Sequence, residues 1–201
     1  MHKRPTNQKA KTVAALISII SLLLCANPAN AKPQLFSQTF NRTIPSGNSS
    51  QIGILEVQID IPLDNIITDL NVNINIEHDF VFDLQIFIIS PQQTAVCLNS
   101  YNLSEIFTGQ NYINATFDDQ ALTSIKNALA PFTGNFKPLE SLSAFTGQNA
   151  KGTWTVRIYD LYAYNQGTLQ DITLTLNHAP EPATLLIFAA GGLFARRKTR
   201  L

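Results

Sequence analysis

Leu70-Asn71-Val72-Asn73-Ile74-Asn75-Ile76 is the stretch that decides the fold. Every second residue is apolar and asparagine fills the places between. A backbone that sends successive side chains to opposite faces therefore buries one face here and wets the other. A helix would scatter the same apolar residues around its circumference, and is excluded. The theme repeats in Phe82-Asp83-Leu84-Gln85-Ile86-Phe87-Ile88-Ile89, which stops at Ser90-Pro91. Phe82, Leu84, Ile86 and Ile88 share one face. Because Phe87 and Ile89 on the other face are also apolar, this strand is expected to be central and covered on both sides late in its length.

Further strands are expected over residues 34–40, 52–61, 94–98, 112–117, 153–158 and 168–176. Residues 118–128 read as a short helix or helical loop with Asp118 as its cap. About eight strands with turn residues between them give an all-β chain, an antiparallel β-sandwich of jelly-roll type. No internal repeat is evident.

Both ends of the chain read as addresses. Lys3, Arg4, Lys9 and Lys11 form a basic segment, residues 13–24 an apolar core, and Ala29-Asn30-Ala31 a small-x-small cleavage site, so residues 1–31 are expected to be a signal peptide. Cys25 leaves with that segment, and Leu24 before it does not suit a lipid-attachment site. Cys97 then has no partner for an internal disulfide, and stability must come from a packed core. At the far end, Pro180-Glu181-Pro182 precedes a 13-residue apolar run, expected to be a short helix, and the basic end Arg196-Arg197-Lys198. The run is short against the roughly 20 residues of a spanning helix, which suits transient membrane attachment with the basic end held on the cytoplasmic side.

This tail, residues 180–201, resembles the PEP-CTERM sorting signal of Gram-negative bacteria that make exopolysaccharide. The resemblance implies recognition and cleavage by an exosortase-type membrane transpeptidase, and delivery to the cell surface, outer envelope or extracellular matrix. A plain tail anchor is the other reading.

Removing both ends changes the charge. The whole chain is neutral, but residues 32–179 hold six basic and thirteen acidic side chains, a net charge of −7. That argues against nucleic acid or an anionic membrane as partner, and leaves cations open. At this length the body is one domain, large enough to bury a core unaided.

Several short motifs stand in order along that body: His78-Asp79-Phe80-Val81-Phe82-Asp83-Leu84, Ser90-Pro91-Gln92-Gln93-Thr94, Thr116-Phe117-Asp118-Asp119, Gly134-Asn135-Phe136-Lys137-Pro138, Phe145-Thr146-Gly147-Gln148, Gly152-Thr153-Trp154-Thr155-Val156 and Gly167-Thr168-Leu169. In this order they resemble the P/Homo B domain, the β-sandwich beside the catalytic domain of subtilisin-like proprotein convertases. The family's usual Ser-Pro-x-Gly-Thr is Ser90-Pro91-Gln92-Gln93-Thr94 here, so the turn is expected to change type for want of a residue that accepts positive φ. Trp154 reads as a core anchor, His78 as a residue before a strand making one backbone or carboxylate hydrogen bond, and 134–138 as a surface loop pinned by Phe136.

The inventory for catalysis is thin. His2 falls in the signal and His178 abuts the tail, leaving His78 as the one histidine on which a Ser-His-Asp triad could be built. No His-Glu-x-x-His, phosphate loop or paired cysteines occur. The resemblance implies the same, since in convertases the triad lies on another domain. Calcium is the candidate cofactor, with Asp83, Asp118 and Asp119 as its ligands. Tyr159, Tyr162 and Tyr164, beside Asp160, are the candidate glycan-binding residues, because tyrosine rings stack on sugar faces. The expected function is an exported, non-catalytic binding or structural module, with extracellular polysaccharide as partner. The alternative is an accessory subunit of a separate subtilisin-like serine protease.

Overall fold

Nine strands in two layers organise the described part of the chain, which in the computed structural model comprises residues 32–48, 50–100 and 109–178. They are β1 (Gln34–Ile44), β2 (Gly53–Ile61), β3 (Ile67–His78), β4 (Leu84–Ile89), β5 (Ala95–Asn99), β6 (Tyr112–Phe117), β7 (Phe132–Phe136), β8 (Gly152–Asp160) and β9 (Gly167–His178). One sheet runs β1-β9-β3-β6-β7 and the other β2-β8-β4-β5. This is the expected β-sandwich of jelly-roll type. Every pairing is antiparallel except β6 with β7, which is parallel.

The alternation in Leu70–Ile76 sets the core. Leu70, Val72, Ile74 and Ile76 all lie inward, as do Leu169, Ile172, Leu174 and Leu176 beside them in β9. The opposing sheet contributes Val57, Ile59, Leu84, Ile86, Ile88, Val156 and Ile158, and each such side chain adds roughly 2 kcal/mol of burial. Trp154 is fully buried, donates its indole N–H to the Ala150 carbonyl at 2.8 Å, and meets the Phe145 ring edge to face at 5.1 Å. The core-anchor expectation therefore holds.

Four local expectations are corrected. Residues 118–128 form no α-helix. The Asp118 side chain closes a turn onto the Gln120 N–H, and a single 3-10 turn spans Ile125–Asn127. The Ile125 N–H and the Thr123 carbonyl bond instead to Lys137, drawing Ser124 into an extended bridge. Residues 134–138 are not simply a loop, because 134–136 belong to β7. Phe132 and Phe136 point inward there, while Gly134, at φ +99°, breaks the alternation that would have marked a strand. The Ser90–Thr94 turn does use positive φ, with Gln93 at +65°, and Gln148 bridges Ser90 Oγ and Thr94 Oγ1 across it. Phe87 and Ile89 are half-buried and line an open groove, because no second layer packs on the outer face of β2-β8-β4-β5 among the described residues.

Register separates the two ends of the sandwich. Gln34 pairs with Leu176 and Ile67 with His178 at the end where β1 begins and β9 finishes. Ile44 and His78 both pair with Gly167 at the other. The signal peptide expected over residues 1–31, the Pro180-Glu181-Pro182 motif and the apolar helix expected after it lie outside the described residues.

Candidate functional site

His78 extends the inward series of β3 by one more step, and so enters the core as a polar residue. Its Nε2 lies 3.2 Å from Asp160 Oδ2, with both side chains fully buried. Nδ1 accepts the Phe80 backbone N–H at 3.1 Å. A ring nitrogen that accepts carries no hydrogen, so the proton sits on Nε2 and is donated to Asp160. Gly167 makes this arrangement possible, since a Cβ there would come within 2.2 Å of His78 Cδ2.

Asp160 of this pair and two neighbouring carboxylates, Asp83 and Asp79, fasten one loop, residues 161–166. Asp160 Oδ1 accepts the Tyr162 N–H at 3.2 Å, Asp83 Oδ2 accepts from Asn165 Nδ2 at 2.6 Å, and Asp79 Oδ2 accepts the Gln166 N–H at 3.2 Å. Asp83 is buried. Burial pushes its carboxyl above the ordinary value; the Asn165 hydrogen bond pulls the other way, and the neighbouring Asp160 charge adds a further upward push. His78 also borders a cleft of about 480 Å³ between Glu77, Asp79 and Gln166, yet the residue is only 2 % exposed. An Asp-His pair is two-thirds of a hydrolase triad. Here both ring nitrogens are committed inside the protein, which leaves no lone pair for a substrate.

The three aspartates expected to share calcium are not brought together. Asp83 sits in a 3-10 turn (Val81–Asp83) at the His78 end, whereas Asp118 and Asp119 follow β6 toward the opposite end. Asp119 accepts from the Leu142 N–H at 3.0 Å, the Ser143 N–H at 2.8 Å and the Ser141 hydroxyl at 2.5 Å, capping the 3-10 turn Leu142–Phe145. Among the described residues no group of three His, Cys, Asp or Glu side chains is arranged to hold a metal.

The three tyrosines divide as well. Tyr159 lies on the outer face of β8, its ring 6.0 Å from that of Phe87 at 87°. Tyr162 and Tyr164 occupy the fastened loop, 41 % and 97 % exposed, with Tyr164 at φ +81°. Cys97 is buried and donates to the Asn99 carbonyl at 3.3 Å, and burial pushes its thiol up to about 11.

Asp160 and Asn165 are the residues that sequence reasoning underrated. A signal for Asp160 existed, because it shares the parity of Trp154, Val156 and Ile158 and must therefore point inward. Asn165 gives no such signal, since its contact crosses 82 residues.

A two-layer sandwich with a buried His-Asp pair and a fastened loop at one end makes this an all-β module. The chain belongs to the proprotein convertase P-domain family, whose model matches residues 67–176, from the first residue of β3 almost to the end of β9. No curated protein matches the chain. Among solved structures it is similar to the Aeromonas sobria serine protease in its complex with a chaperone, at 15 % identity over 81 % of this chain and 29 % of that one, with a TM-score of 0.46. A second structure, of a serine protease of Aeromonas sobria, gives 15 % identity, 81 % and 30 % coverage, and a TM-score of 0.45. The chain thus spans under a third of the length of these structures.

Proposed function

We propose that the chain is an exported, surface-sorted, non-catalytic P-domain module of the cell envelope or extracellular matrix. The observation that carries this reading is the state of His78: its two ring nitrogens hold Asp160 and the Phe80 N–H, so the residue serves the fold and not a substrate. Topology supports display. His178, the last residue of β9, stands at the end where β1 begins, and the loop bearing Tyr162 and Tyr164 lies at the opposite end of the sandwich. Cell fractionation with mass spectrometry is the test. A mature chain starting at Lys32 and recovered from the surface or matrix supports the reading, and retention of the intact precursor in the inner membrane overturns it.

The family membership favours one alternative, an accessory subunit bound to a separately encoded subtilisin-like serine protease. Co-purification of such a protease with the surface fraction selects it. Recovery with matrix polysaccharide selects the first reading.

A further inference from the structure

The outer face of β2-β8-β4-β5 carries a groove that the His78 cluster does not touch. Register builds it in rows across the sheet. Ile54, Tyr159 and Gln85 are neighbours in one row, and Glu56, Arg157 and Phe87 in the next. The groove measures about 430 Å³ and lies open on the sheet surface. That volume is in the range of small-molecule and oligomer sites, about 300–1,000 Å³, while a stable protein partner needs a far larger face.

Its lining is two-sided in chemistry. Phe87 and Tyr159 meet edge to face, so the groove offers one ring face and one ring edge at right angles, with Ile89 beyond them. Beside the rings stand Gln85 and Arg157. The Arg157 Nε–H donates to Glu56 Oε1, and Nη1 lies 3.5 Å from the Tyr159 hydroxyl, which aligns the guanidinium along the aromatic strip and cancels its charge against Glu56. A ligand that fits needs one flat apolar face and an edge of hydroxyls, and it should be uncharged, because Arg157 in the groove is already balanced by Glu56 beside it and the body carries an excess of carboxylates.

We infer that this groove binds a neutral polysaccharide, a pyranose ring seated against the face of one ring and the edge of the other in the Tyr159–Phe87 pair, with its hydroxyls toward Arg157 and Gln85. This rests on the matrix reading above, and gives that reading a ligand class. It also moves the sugar site off the loop tyrosines, keeping Tyr159 and replacing Tyr162 and Tyr164 by Phe87 and Arg157.

The test is affinity electrophoresis of the full-length chain in mild detergent, through gels containing hydroxyethylcellulose, laminarin or dextran, with alginate as the acidic control. Retardation by at least one neutral polymer is expected, weakened tenfold or more in Tyr159→Ala and several-fold in Arg157→Met, which leaves both rings in place. Unchanged far-ultraviolet circular dichroism and melting keep the variants interpretable. No retardation by any of the three neutral polymers, retardation by alginate alone, or retardation equal in Tyr159→Ala would overturn the inference. Failure here leaves surface delivery standing, since fractionation reads that separately. A chain retained in the inner membrane yet retarded in the gel leaves the groove standing.

Discussion

His78 donates to Asp160 across 3.2 Å of fully buried space, joining the last residue of β3 to the last residue of β8 and thereby one sheet to the other. Removing one partner strands the other. His78→Ala is expected to cost about 3 kcal/mol, because the Asp160 carboxylate loses a donor it cannot replace with water. Denaturant unfolding followed by the fluorescence of Trp154, the only tryptophan, reads this directly. A loss under 1 kcal/mol would show that the pair does not bind the sheets together.

Asp83→Asn should behave in the opposite sense at neutral pH. The folded protein holds the Asp83 proton more tightly than the unfolded chain does, because burial raises the carboxyl above its ordinary 3.8. This group's contribution is therefore most favourable below that value, falls as pH climbs through the window above it, and stays reduced at pH 7. Asparagine keeps an acceptor for Asn165 and removes the charge. The variant is expected to melt as high as the parent or higher at pH 7, and to lose that advantage near pH 3. Melting curves at the two pH values decide it, and a variant less stable at pH 7 than at pH 3, relative to the parent, refutes the sign.

Gln93→Gly tests the one turn that departs from the family's pattern. Gln93 holds φ +65°, a region that costs a residue with a Cβ about 1–2 kcal/mol, and glycine returns part of its advantage as extra freedom in the unfolded chain. A net gain of about 0.5–1 kcal/mol is expected in equilibrium unfolding. No gain would place the strain elsewhere.

Asp119→Ala removes the carboxylate that caps the 3-10 turn Leu142–Phe145 together with the Ser141 hydroxyl, the turn that carries the Phe145 ring against Trp154. A loss of about 1–2 kcal/mol is expected. Since the Asp119 oxygens already accept three internal donors, millimolar calcium or a chelator should leave the parent's melting temperature unchanged. A calcium-dependent rise that disappears in Asp119→Ala would reinstate this aspartate as a metal ligand.

Much of the fold was legible because period-two burial is a local property. Leu70 to Ile76 and Leu84 to Ile88 keep in the structure the faces that their spacing assigns them. β7 was not legible, because Phe132 and Phe136 bracket three exposed residues, the middle one a glycine at positive φ. The segment before it misled in the other direction. Ala121, Ile125 and Ala128 are buried at helical spacing, yet the Lys137 backbone claimed hydrogen bonds that a helix would have needed.

The sequence by itself determined the β-sandwich, the family and the inward anchor Trp154, since each follows from alternation or from motifs in order along the chain. It also located an acidic body between two address-like ends. Only the tertiary structure decided which polar groups meet. Asp83 went to Asn165 and the His78–Asp160 pair, Asp118 and Asp119 went to the other end, and Tyr159 left its two neighbours for Phe87. Contacts between residues some eighty positions apart depend on the register and stacking of whole strands, and no local pattern encodes those.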